Sequence, residues 1–103
     1  MSTPTARLPD SPGATSADEE LARMSKALGH PVRAGIIRFL RAQDACYYGD
    51  LSQVIPLAKS TISQHLRILR EAGLIRGETG GPRACYCVDE NGLRRYKQII
   101  SEL

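Results

Sequence analysis

The chain has 103 residues, enough for one domain with a single modest core. It is 42% hydrophobic and 5% aromatic, and its net charge of +3 leans towards an anionic partner, although position matters more than total. No apolar run approaches the roughly 18–20 residues that span a bilayer, and no secretory signal is evident, so a cytoplasmic protein with reduced thiols is expected. Three cysteines, an odd count, also argue against a simple disulfide framework.

Residues 1–16 are rich in Ser, Thr, Pro, Ala and Gly with almost nothing to bury, and read as a disordered arm. Residues 17–103 read as one folded domain. Ser16 with Glu19 has the spacing of a capping box, and Leu21, Met24 and Leu28 form a narrow apolar stripe ended by Gly29. Pro31 suits the first position of a second helix, with His30 as a capping or packing residue. That helix carries Val32, Ile36, Ile37, Phe39 and Leu40 over a broad face, and so belongs to the core. Asp44–Gly49 is β-leaning and too short for a helix, so a brief strand fits. A third helix is expected over Asp50–Ile55, with Leu51, Val54 and Ile55 inward and Pro56 closing it.

The next helix, Lys59 to Ala72 with Gly73 as its stop, organises the rest. Ile62, Leu66 and Leu69 recur at i, i+4 and i+7, so one face must be packed. Ser60, Thr61, Ser63, Gln64, His65 and Arg67 crowd its start. A polar, uncapped beginning of that composition suits a recognition helix in the DNA major groove. Lys59, Arg67, Arg70, Arg76 and Arg83 outnumber Glu71 and Glu78 across the same region, which suits phosphate contact, and Glu71 is placed to pair with Arg67. Leu74–Thr79 and Arg83–Val88 read as strands about a Gly80-Gly81-Pro82 turn, a wing carrying Arg76 and Arg83 near its two sides. A last helix, Glu90–Leu103, capped by Asp89 or Asn91, bears Leu93, Tyr96, Ile99, Ile100 and Leu103 at helical spacing.

The fold class is therefore mainly α with a small β-hairpin: a winged helix-turn-helix. Stripes left over on the first and last helices suit a homodimer, which also suits two DNA half-sites about one helical turn apart. Ala27–Leu40, Ser60–Ile75 and the hairpin after them resemble the ArsR/SmtB bacterial repressors over nearly the whole ordered chain. The resemblance implies dimers that leave operator DNA when a metal, metalloid or oxidant is sensed. It also implies DNA contacts at Ser60, Thr61, Ser63, Gln64 and His65.

This sequence departs from that family's familiar inducer sites. Where many of its arsenic sensors carry two cysteines flanking one residue, Ala45–Leu51 has only Cys46. Where its zinc sensors use Asp and His on the last helix, Glu90–Leu103 has no histidine. The inducer site must come from this chain's own thiols. Cys85 and Cys87 flank Tyr86 and emerge on one strand face, ~7 Å apart. The strand before the helix-turn-helix would pair with this returning strand and bring Cys46 beside Cys85 or Cys87, at ~5 Å. Three soft donors without imidazole or carboxylate suit trigonal As(III) or Sb(III) as inducer better than tetrahedral Zn(II). A redox switch, a disulfide between Cys46 and a wing cysteine, is the second reading, and small buried hydrophobes the third. A Cys85–Cys87 disulfide is disfavoured by geometry.

Two other classes compete. Ser63 and His65 diverge by about 200° on one helix and no carboxylate orients them, and there is no CxxC pair, so an enzyme is not expected. A winged-helix interaction module without DNA binding would favour neutral or acidic residues on the exposed face, and this face is polar and basic.

Overall fold

The computed structural model describes residues 16–78 and 85–103. The N-terminal arm up to residue 15, the Gly80-Gly81-Pro82 turn and Arg83 lie outside the described residues.

Helix α1 spans Ser16–Leu28 and α2 spans Pro31–Ala42. Ser16, the first described residue, already lies within α1. His30 does cap α2: its extended backbone and its Nδ1, which accepts the Val32 N–H at 3.1 Å, start the helix that Pro31 is pre-shaped to enter. Strand β1, Cys46–Tyr48, follows a tight turn in which Asp44 and Ala45 both have positive φ, 57° and 75°. The Cys46 N–H closes that turn on the Gln43 carbonyl at 3.2 Å.

The expected third helix over Asp50–Ile55 is a single 3-10 turn, Leu51–Gln53, capped by the Asp50 carboxylate on the Ser52 N–H. Pro56 leaves room for no more, since it lacks an N–H and restricts the residue before it. Leu51 is buried and Ile55 half-buried as expected, but Val54 is exposed. Helix α3 runs Lys59–Glu71, with Ala72 as its C-cap. Gly73, at φ +79°, ends it: the Leu74 N–H reaches the Leu69 carbonyl and the Gly73 N–H the Arg70 carbonyl, the paired bonds of a Schellman motif.

Strands β2, Ile75–Glu78, and β3, Cys85–Val88, pair antiparallel, and β1 adds to the far side of β3. The sheet is thus three-stranded, in the order β1-β3-β2, with the strand before the helix-turn-helix on the returning wing strand as expected. Helix α4, Glu90–Ser101, is capped by Asp89, whose Oδ1 accepts the Gly92 N–H.

One core joins all of this. Ile36, Leu40, Leu69, Leu74, Ile75 and Val88 are essentially inaccessible, with Met24, Ala27, Ile62, Leu66 and Leu93 around them. At α4 the stripe divides: Leu93 and Ile99 are buried, while Ile100 and Leu103 are 43% and 87% exposed. Helix α4 also packs on α1, through Arg95 Nε to Glu20 at 3.0 Å and Ser25 Oγ to Tyr96 OH at 3.1 Å. Among the described residues no helix is long and apolar enough to cross a membrane.

Candidate functional site

Burial of Ile62, Leu66 and Leu69 turns the opposite side of α3 outward. Ser60, Ser63, Gln64 and Arg67, at i, i+3, i+4 and i+7, form one exposed row beside Lys59. Thr61 is half-buried at the edge of that row. Ala58 offers no side-chain cap, so the first N–H groups of α3 keep their capacity to donate to an anion. Lys59 Nζ lies 3.2 Å from Asp50 Oδ2, which ties the 3-10 turn to the start of α3. The Asp50 carboxyl is held below its ordinary range by the Ser52 hydroxyl and N–H it accepts, with Lys59 adding to the effect. Arg76 is exposed on β2. The expected Arg67–Glu71 pair does not form. Ion pairs that cross between elements form instead: Arg41–Glu90, Lys59–Asp50 and Arg95–Glu20.

His65 sits apart from the exposed row. It is half-buried at the junction with α2, its ring centroid 4.7 Å from that of His30 and its Nδ1 3.1 Å from Arg33 Nη1. Burial, then the neighbouring His30 and Arg33 charges, push its pKa below the ordinary histidine value. Arg33 was not legible as a functional residue. Its only signal is its place in the His-Pro-Val-Arg run, and which helix it crosses to is a matter of tertiary packing.

The thiols lie on the other flank. Cys85 and Cys87 alternate with buried Tyr86 and Val88, so both face away from the core. The β1–β3 register sets Cys46 opposite Cys87 and Tyr48 opposite Cys85. Facing residues share a sheet face, so all three cysteines are on one side. Cys46 and Cys87, with Cα atoms 4.0 Å apart, are joined as a disulfide, and Cys85 is the free cysteine, half-buried beside it. The expected placement of Cys46 beside a wing cysteine holds, but two of the three thiols are bonded to each other. As bonded, they present a single free thiol, and among the described residues no group of three or more His, Cys, Asp or Glu could hold a metal ion. The donor set fits a thiophilic ion only with the bond reduced. In the row beyond Cys87, Arg76 faces the pair from β2.

An amphipathic helix presented after a one-turn segment and backed by a three-stranded sheet defines a winged helix-turn-helix. A helix-turn-helix domain model matches residues 28–78. The repressor SmtB of Mycobacterium tuberculosis is 34% identical over 68 residues, 66% of this chain and 50% of that protein, so the chain spans half the length of that relative. The regulator YgaV of Escherichia coli strain K12 is 33% identical over 75 residues, 73% of this chain and 76% of that one. The structure of the cadmium metal-sensor CMTR of M. tuberculosis superposes with a TM-score of 0.54 at 32% identity, covering 78% of this chain and 82% of the other. The chain belongs to the ArsR/SmtB family of helix-turn-helix transcriptional regulators. These relatives are regulators, not enzymes.

Proposed function

We propose that this chain is a cytoplasmic, homodimeric DNA-binding repressor whose hold on operator DNA is set by the chemical state of its thiols. Lys59, Ser60, Thr61, Ser63, Gln64 and Arg67 form the reading end of α3, His65 supports that end from its contact with α2, and Arg76 and Arg83 are the wing's phosphate contacts. The observation that carries the control reading is the register of β1 on β3, which sets Cys46 against Cys87 with Cys85 on the same face.

Two signals suit that arrangement. The observed bond favours a dithiol/disulfide couple, because disulfides in a reducing compartment are usually transient and sensing. A peroxide would take two thiols to the disulfide and two waters. Three thiols on one face favour As(III) or Sb(III), bound by Cys46, Cys85 and Cys87 once the bond is reduced. That the cadmium-sensor and SmtB relatives carry metal-sensor and repressor names supports a soft-ion inducer as well. Either event ties β1, which leads into the helix-turn-helix, to the wing. Release follows if the tied form binds DNA more weakly, by a coupling of about 1–3 kcal/mol.

The test is fluorescence anisotropy with a duplex selected from a random library by the reduced chain, titrated with As(III), Sb(III), Zn(II), Cd(II) and peroxide. Cys46→Ser and Cys87→Ser are expected to abolish every response. Cys85→Ser is expected to abolish the metalloid response and spare the peroxide one. Unchanged release in all three variants would eliminate this site, and salt-independent or absent duplex binding would leave an interaction module instead.

A further inference from the structure

The histidines of the described chain converge at one place away from the thiols, the junction of α1, α2 and α3. Arg33 spans it. Its Nε donates to the Ala27 carbonyl at 2.6 Å and its Nη2 to the Lys26 carbonyl at 3.3 Å, both at the C-terminal end of α1. Its Nη1 lies 3.1 Å from Nδ1 of His65, on α3. A guanidinium has donors only, so His65 Nδ1 is the acceptor of that bond. His30 Nδ1 likewise accepts the Val32 N–H. Both rings are therefore neutral in this arrangement, and each carries its proton on Nε2.

We infer that Arg33 is a positioning residue for the recognition helix: it seats α3 on the C-terminal end of α1 through His65, and the seat holds only while His65 is neutral. A proton at Nδ1 would set a second donor, and a second positive charge, against the guanidinium. Burial opposes protonation of His65, as do the Arg33 charge on α2 and any charge taken up by His30, the cap of that helix. Of the other elements packed on α3, α1 offers its Lys26 and Ala27 carbonyls through Arg33, the 3-10 turn has Asp50 tied to Lys59, and β2 carries Arg76. Loss of the seat moves the exposed row of α3 and so weakens selective binding, whereas the added charge strengthens attraction to any phosphate. The two effects are separated by comparing a selected duplex with a scrambled one.

Two measurements test this on the full chain. Nitrogen-15 NMR across about pH 5–8 reads the rings. Both imidazoles are expected as the Nε2–H tautomer near neutrality, with Arg33→Met moving the His65 titration upward and mixing its tautomers. Anisotropy at fixed salt reads DNA. The selected-to-scrambled affinity ratio is expected to fall at least about fivefold from roughly pH 7.5 to 5.5 in the parent chain. In Arg33→Met the ratio should already be low near pH 7.5 and fall no further. Arg33→Lys, which keeps the charge without the fork of donors, should behave as Arg33→Met. A His65 Nδ1–H tautomer in the parent chain, or an Arg33→Met chain with parental tautomer and pH profile, would overturn the inference. The NMR readout does not depend on the DNA-binding proposal. Expected tautomers with no duplex binding at any pH would sink that proposal and leave the Arg33–His65 seat standing.

Discussion

Single residues in this chain carry constraints of different kinds. Gly92 opens α4 directly against the α3–β2 turn, where a Cβ would collide with the Gly73 carbonyl group. Gly92→Ala should therefore lower stability by about 1–3 kcal/mol, seen as an earlier urea midpoint with an unchanged slope. Ala45 is the reverse case. Its φ of 75° is uncomfortable for a residue with a Cβ, so Ala45→Gly should stabilise the chain by up to about 1 kcal/mol. His65 gives a pH dependence whose sign follows from its lowered pKa. The unfolded chain takes up the proton first, so stability is full above the ordinary value near 6.5 and declines as pH falls from there towards the folded value. Urea titrations across that window should show the decline, and His65→Gln should flatten it.

At the scale of elements, the proposed DNA binding divides into positioning and reading. Helix α3 has its apolar row locked by Leu69, which is wholly inaccessible, so Leu69→Ala should cost about 2–5 kcal/mol. Its outer row should behave differently, because nothing there is packed. Gln64→Ala is expected to weaken binding to a selected duplex by about 1–3 kcal/mol while leaving Tm unchanged. Lys59→Ala or Arg67→Ala should weaken selected and scrambled duplexes alike and reduce the salt slope by about one. The apolar row and the Gly73 stop were legible from spacing and residue type, as was a cap for α4 at Asp89 or Asn91, of which Asp89 is the one that forms. The one-turn segment at Leu51 was not, because a helix-like pattern of six residues before a proline does not reveal whether one turn or two will form. For His65, packing at a junction and contact with DNA are both open from spacing alone, and the packing of α2 across α3 turns its ring to Arg33.

For the whole molecule, the Cys46–Cys87 bond closes a separation of 41 residues that contains the entire helix-turn-helix. Chain-entropy reasoning gives that cross-link about 4 kcal/mol of stabilisation. Reduction should therefore lower the unfolding free energy by that order, and Cys46→Ser should remove the difference between oxidised and reduced chains. Ile100 is exposed on α4, one of the helix pair proposed for dimerisation, and Leu103 is exposed just past its end. Ile100→Asp is expected to shift sedimentation towards the monomer with little effect on Tm.

The order of elements, the buried stripe of α3 and its polar face could be read from the sequence, because period, capping and turn chemistry are local and act over three or four residues. So could the meeting of Cys46 with a wing cysteine, given a strand on each side. Which wing cysteine it meets, and that two thiols bond while Cys85 stands aside, was decided by the register of β1 on β3. The seat of α3 on Arg33 was decided by how α1, α2 and α3 cross. Both depend on contacts between residues more than thirty positions apart, whose geometry is set by the shared core, not by the local sequence at either end.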